Sequence, residues 1–264
     1  MSLGDAVPEA GPGLRRVEFI MGTAISVELA DPLPAGTLDT LAEQTFAWLR
    51  EVDERFSTYK VDSEVNRIDR GELTAERGSP DLRAVLDACA DLWRATDGHF
   101  DAYATGRLDP SGYVKGWSVQ VASDRLMAAG AVNHWINAGG DVRLRGGPSP
   151  GQGWRIGIAH PWEKDKVAWV LTGVDLAVAT SGTYERGYHV VDPHTGEPAK
   201  TLCSVTVVGP DLGTADAYAT AAVAMGTPGL DWLARLAARD GYESAVVTQD
   251  GRAFSSAGLP VVTD

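Results

Sequence analysis

The sequence predicts an α+β fold: a single compact domain in which antiparallel or mixed sheets are flanked by helices. Segments with strand character follow one another in runs instead of alternating strictly with helices, which argues against a doubly wound parallel sheet. Other segments carry apolar residues at helical spacing. No short-period repeat, low-complexity block or Pro/Gly/Ser-rich linker cuts the 264-residue chain. One domain is therefore expected over 14–264, behind a short disordered lead-in at 1–13.

The elements follow in order. "VEFIMGTAISVEL" alternates apolar and polar residues on both sides of Gly22, as two strand halves joined by a bulge or turn would. In "LDTLAEQTFAWLREVDERFS", Leu38, Leu41, Thr45, Trp48, Val52 and Phe56 form one helical stripe. "SPDLRAVLDACADLWRATDG" repeats the pattern with Leu82, Val85, Leu86, Cys89, Leu92 and Trp93, and Gly98 is placed to stop that helix. A third helix is expected from Lys115-Gly116 through "WSVQVASDRLMAAG". Short strands follow in "VNHWINAGG", "DVRLRG", "WRIGIAHP", "WVLTGVDLAVATS", "YHVVD" and "SVTVVG". Two helices, "TADAYATAAVAMG" and "PGLDWLARLAARDG", precede a closing strand pair, "YESAVVTQDG" and "RAFSSAG".

With 44% hydrophobic and 22% charged residues the composition is that of an ordinary globular protein. A net charge of −13 disfavours binding to nucleic acid. No apolar run approaches the roughly 18 residues of a membrane span. "MSLGDAVPEAGPGLRR" has neither the basic start nor the apolar stretch of a signal peptide, so a cytoplasmic location is expected. Cys89 and Cys203 sit among apolar neighbours without metal or CxxC spacing, as buried, reduced thiols do.

Five segments could carry chemistry. Asp216 and Thr220 stand four apart in "TADAYATAAVAMG", on one helix face, with Thr214 a candidate N-cap. A carboxylate and a hydroxyl are hard oxygen ligands suited to Mg²⁺. Spacing alone is explained more simply by an amphipathic helix whose Asp favours the positive N-terminal end. "DPSGYVKGWS" brings Asp109, Gly112 and Lys115 into a loop entering a helix, where backbone amides and an ammonium favour an anion. It has neither P-loop nor GxGxxG spacing, and a plain turn explains it as well. "GHFDAY" and "FSTYK" place Phe100, Asp101 and Tyr59 at helix exits, where aromatics either stack on heterocycles or pack a core. "NAGGDVRLRG" reads as a hairpin or bulge as readily as a ligand contact.

Of the histidines, His134 and His160 flank apolar strand residues and read as structural. His189 differs, standing between a "TSG" elbow and the "DPHTG" turn, where catalytic loops lie. His194, inside that turn, is expected to matter little, since the turn rests on Asp192, Pro193 and Gly196. No GxSxG elbow, HExxH helix or catalytic cysteine context is present, so a nucleophile, if the reaction needs one, is left to the substrate.

Taken together, "MGT", "FSTYKVDSEVNRIDRG", "GHFD", "DPSGYVKG", "NAGGD", "ATSGTYER", "HVVDPHTGEP" and "ADAYATAAVAMG" occur in this order along the chain. The set resembles the FAD:protein FMN transferases, the ApbE-type flavin transferases, from Arg15 to Pro260. The resemblance implies an ApbE-like, T-fold-related architecture and a Mg²⁺-dependent reaction with FAD as substrate. A threonine hydroxyl of an acceptor protein would attack the FAD pyrophosphate, take FMN as a phosphoester and release AMP.

By the same resemblance, Met21 and Tyr59 would line a flavin pocket. His99, Phe100, Asp101, Asp109, Lys115 and Val190 would contact FAD. The Gly112 carbonyl, Asp216 and Thr220 would hold the metal, and His189 would be the general base. The sequence departs from the family pattern where only "AYATGRLDPSGYV" separates the "FD" and "KG" motifs, and where the common "DLGGIAKG" has become "DPSGYVKG". A metal-dependent FAD pyrophosphatase, or a flavin-binding protein without turnover, are the alternative readings.

Overall fold

The computed structural model describes residues 13–163, 165–183 and 190–262. It contains an eight-stranded sheet, a two-stranded ribbon and six α-helices among those residues. The expected lead-in at 1–13 falls, but for Gly13, outside them. The strands are β1 (Leu14–Ile20), β2 (Thr23–Leu29), β3 (His134–Ala138), β4 (Asp141–Arg145), β5 (Trp154–Ala159), β6 (Val167–Gly173), β7 (Asp175–Gly182), β8 (Leu202–Gly209), β9 (Glu243–Thr248) and β10 (Ala253–Ser255). The helices are α1 (Ala35–Phe56), α2 (Glu64–Asp69), α3 (Pro80–Ala95), α4 (Ser111–Ala128), α5 (Leu212–Met225) and α6 (Pro228–Asp240).

The large sheet runs β1-β2-β3-β4-β7-β8-β9-β10, and β5 pairs with β6. Among the described residues every strand pairing is antiparallel, so of the two expected sheet types one is found there. The predicted strand "WVLTGVDLAVATS" divides at Val174 into β6 and β7, which belong to different sheets.

The main core lies between one sheet face and the helices, with Ile25, Val27, Ile136, Val205 and Val207 meeting Phe46, Leu49, Val119 and the alanines of α5. A second cluster lies on the opposite face, where Ile158 and Leu171 of the ribbon cover Val142, Val178, Val208 and Ala245. β8 is consequently buried at every position, Ser204 and Thr206 included. No described helix is long and apolar enough to cross a membrane.

Local chemistry sets the joints. Met21 and Gly22 both have positive φ, 54° and 72°, the tight two-residue hairpin turn that matches strand twist. Ser63 and Ser79 cap α2 and α3 by accepting the amides of Asn66 and Leu82. α4 begins at Ser111, four residues ahead of the expected Lys115, because the Asp109 carboxylate accepts the Ser111 amide and Pro110 precedes the first turn. Thr214 is not the N-cap of α5: Asp211 is, accepting the Thr214 amide at 2.8 Å. Trp93, expected on the buried stripe of α3, is instead 52% exposed, one position off the face that carries Leu82, Val85, Cys89 and Leu92.

His134 is structural, as expected. It is fully buried, with Nδ1 2.7 Å from the Ala131 carbonyl and Nε2 2.8 Å from the Ser123 hydroxyl. Nδ1 donates to the carbonyl, so Nε2 accepts from the hydroxyl and the ring is neutral. Burial pushes its pKa down to about 4. As pH falls below about 6.5 the unfolded chain takes a proton that the folded chain refuses until about 4. Stability is therefore full above that range and declines through it, by on the order of 2–3 kcal/mol. Urea melts between pH 7.5 and 4.5 should fall more steeply for the wild type than for His134→Gln. Parallel curves would show that His134 does not titrate on unfolding.

Candidate active site

A cleft of about 840 Å³ opens where the β1–β2 hairpin tip, the C-terminal end of α1, the N-terminal turns of α4, the end of β7 and α5 converge. Every predicted site residue among those described lines it: Met21, Tyr59, His99, Phe100, Asp101, Asp109, Gly112, Lys115, Val190, Asp216 and Thr220. His189 lies outside the described residues. A second hollow, about 460 Å³, lies between α1 and α4 and contains none of them.

The deepest part is built where α4 crosses α5. Gly116 makes the crossing possible: a Cβ there would press into the Leu212 carbonyl oxygen and stand 2.9 Å from Cβ of Asp216. Gly213 meets α4 in the same way, with a Cβ that would lie 2.8 Å from the Tyr113 ring. The Gly116 amide donates to Oδ2 of Asp216 at 3.1 Å. Lys115, next along α4, places its ammonium 3.3 Å from the same oxygen and in an ion pair with Asp141. Asp216 is 3% exposed and Asp141 0%.

One turn beyond Asp216, Thr220 shares a hydrogen bond of 3.0 Å with the Ser181 hydroxyl of β7. Gly112 rests against this hydroxyl; a Cβ would stand 3.5 Å from Thr220 Oγ1 and 3.3 Å from the Phe100 ring. The result is a floor of hard oxygens, carboxylate and hydroxyl, beside an ammonium. Such a set can hold a divalent cation and turn positive charge toward phosphate. Among the described residues no three His, Cys, Asp or Glu side chains gather as a metal cluster, so the hydroxyls and backbone would have to complete the shell.

The walls are tied by the backbone. Phe100 is 3% exposed, and its amide donates to Thr96 Oγ1 at 2.9 Å. Asp101 accepts the Tyr103 amide at 2.8 Å, and Asp109 donates its own amide to the Ala102 carbonyl at 2.7 Å. The short connection to α4 is anchored to α2: Asp69 accepts the Leu108 amide at 3.1 Å and pairs with Arg107 at 2.9 Å. Tyr59 stands at the mouth, 95% exposed.

"DPHTG" forms the expected turn. Asp192 accepts the Gly196 amide at 2.8 Å on its carbonyl and the His194 amide at 2.9 Å on its carboxylate. His194 does more than expected. Its Nε2 lies 2.8 Å from the Asp97 carbonyl, and its ring lies 4.4 Å from that of His99, joining the turn to the "GHFD" segment.

Sequence reasoning gave no role to Asp141 and none of their own to Thr180 and Ser181, which line the cleft or pair with a residue that does. Asp141 follows the two glycines of "NAGGD", which turn β3 into β4 with φ of 60° and 99°. An acidic residue buried at the end of such a turn was the available signal. Thr180 and Ser181 belong to the expected "TSG" elbow, but they lie in β7, paired with β8, and it is the strand that turns their hydroxyl-bearing end to the cleft.

The family model described as "ApbE family" matches residues 21–105 and 102–243. A curated relative, the FAD:protein FMN transferase of Vibrio cholerae, is 27% identical over 265 residues, covering 78% of this chain and 79% of that protein. The protein of that name from Rhodobacter capsulatus is 35% identical over 161 residues, 57% of this chain and 30% of its own. Among solved structures, the flavin transferase ApbE from Vibrio cholerae superposes with a TM-score of 0.81 at 24% identity, covering 95% of this chain and 99% of that one. The apo flavinyl transferase ApbE of Pseudomonas stutzeri gives 0.76 at 25% identity, over 93% and 94%.

The α4–α5 crossing can be tested by itself. Gly116→Ala should cost about 1–3 kcal/mol through overpacking, although alanine is the better helix former by about 1 kcal/mol. Gly36→Ala in α1, with open space around its Cβ, should be neutral or stabilising. Chemical denaturation of both variants measures the contrast. Equal stabilities would mean the helices are not in close contact at Gly116.

Proposed function

This chain belongs to the ApbE family, and from that premise we propose that it transfers the FMN moiety of FAD to a threonine hydroxyl of an acceptor protein. The reaction depends on Mg²⁺, forms a phosphoester and releases AMP. The observation that carries this reading is the floor of the cleft, where Asp216, Thr220 and Lys115 meet beneath the predicted flavin-side residues. At about 840 Å³ the cleft falls within the roughly 300–1,000 Å³ of small-molecule and cofactor sites.

Each residue then has a task. Met21, Tyr59, Phe100 and Val190 offer apolar and aromatic surface to a flat ring system. Lys115 and the first turn of α4 face the phosphates, with the ammonium as a fixed point charge. Asp216 and Thr220, with the Gly112 carbonyl, would hold the cation, which when bound supplies Lewis-acid stabilisation of charge on the phosphate oxygens. His189, by its place before the "DPHTG" turn, would take the proton of the incoming hydroxyl, a contribution of about 10²–10⁴-fold. The alternatives differ only in the nucleophile or in the absence of turnover.

Incubation with FAD and Mg²⁺, with and without a threonine-bearing acceptor, separates these readings. AMP release only with acceptor is expected; release regardless of acceptor means hydrolysis, and binding without AMP means a carrier. Asp216→Ala should lower metal-dependent turnover about 10²–10³-fold in protein that still unfolds cooperatively, and wild-type turnover would remove the metal assignment.

Binding gives an independent check. FAD at a hundredfold excess over its Kd should stabilise the protein by about 2.7 kcal/mol. Riboflavin at the same concentration should protect far less, because it carries no phosphate for Lys115. Equal thermal protection by both would show that the phosphates are not read.

A further inference from the structure

Asp141 has no role in the reading above, yet it is the most deeply buried acid beside the cleft. It opens β4 immediately after the Gly139–Gly140 turn and is 0% exposed. The backbone register of β4 with β7 runs from Arg145↔Asp175 to Val142↔Val178 and stops there. The Asp141 side chain continues it: Oδ1 accepts the Thr180 amide at 3.1 Å. Oδ2 is turned the other way, to the Lys115 ammonium. One carboxylate thus fastens the end of a central strand to a cation from α4.

Lys115 stands between two carboxylates. Asp141 is its partner on the sheet, and Asp216 Oδ2 lies 3.3 Å away on α5. An ammonium and a divalent cation compete for the same kind of oxygen, and a lysine stem is flexible enough to choose between neighbours. Whatever holds Lys115 toward the sheet therefore lowers its competition at Asp216. A carboxylate buried without its cation is strongly unfavourable, so Asp141 holds the ammonium firmly.

We propose that Asp141 is a positioning residue: it shares the Lys115 ammonium with Asp216 and draws it toward the sheet, so that Lys115 does not turn wholly to Asp216 in place of a divalent cation. This rests on the reading of Asp216 and Thr220 as metal ligands. Asp141 acts through Lys115 and is not itself a ligand. Asp141→Asn keeps the shape and an oxygen for the Thr180 amide while removing the charge that holds Lys115. The ammonium is then left to Asp216 alone, and metal affinity falls. Removing the ammonium as well, in Asp141→Asn/Lys115→Met, abolishes the competition and restores it.

The test is titration of the full chain with Mn²⁺, followed by electron paramagnetic resonance and calorimetry, with and without ADP. Asp141→Asn should bind Mn²⁺ roughly 10- to 100-fold more weakly, the range for residues that orient a metal site from behind its ligands. The double variant should return to within a few-fold of wild type, a rescue that a purely structural role of Asp141 would not produce. Wild-type affinity in Asp141→Asn overturns the proposal. So does a tenfold loss that persists in the double variant, which would make Asp141 a structural support or a ligand and not a restraint on Lys115. Should Asp141→Asn not fold, the double variant, which removes both buried charges together, decides alone by the same two outcomes. Wild-type protein that takes up no Mn²⁺, with Asp216→Ala no different, brings down the metal reading and this proposal with it. Mn²⁺ uptake that depends on Asp216 but not on Asp141 overturns the positioning role alone.

Discussion

The contact on which the site depends is the close crossing of α4 and α5 at Gly116. Two helices normally pack with axes 8–10 Å apart, held off by their side chains. Here Gly116 and Gly213 remove that spacer, and the backbone of one helix meets the side chains of the other. Only at this separation can the Gly116 amide reach Asp216 and Lys115 lie between the acids of α5 and β4. Charge that would be costly to bury is thereby met by an amide and an ammonium held on a rigid element.

The crossing is itself held by a buried polar network. Gln120 of α4 accepts from the Leu212 amide, an orphan donor in the first turn of α5, and from Arg143 of β4. Arg143 is 2% exposed, pairs with Asp175 at 2.6 Å and donates to the Leu144 carbonyl at 2.8 Å. Its donors are thus spent on specific partners, the condition under which a buried guanidinium is tolerated. Helix, helix and sheet are joined through one glutamine, and the acids at the cleft floor inherit that rigidity.

The cleft rim is built differently, from turns. Among the described residues the non-glycine positions with positive φ are Met21 and Asp97, at 54° and 52°. Met21 lines the cleft at the hairpin tip, and Asp97 offers its carbonyl to His194 beside His99. Such conformations cost of order 1 kcal/mol or more and persist where surrounding contacts over-determine them. At both places a turn is held in position at the cleft's edge by contacts from elsewhere in the chain.

How much of this was legible in the sequence follows from the range of each interaction. Helical stripes, the Met21–Gly22 turn, the β3–β4 hairpin and the "DPHTG" turn depend on residues a few positions apart, and the sequence determined them. The ordered motifs likewise named the residues that the fold brings to one cleft, because a family resemblance carries tertiary information that periodicity does not. Trp93 was misplaced because a stripe defines a helix face only to within about one position, and Thr214 because Asp211 competes for the same cap. The tertiary structure alone decided what depends on pairs far apart in the chain. Gly116 is close to Asp216 only because α4 crosses α5; Asp141 reaches Lys115 only because β4 lies beneath α4; His194 meets His99 only because two turns share a rim. Local sequence fixes backbone dihedrals and amphipathic faces, whereas a buried charge finds its partner only after the layers have packed.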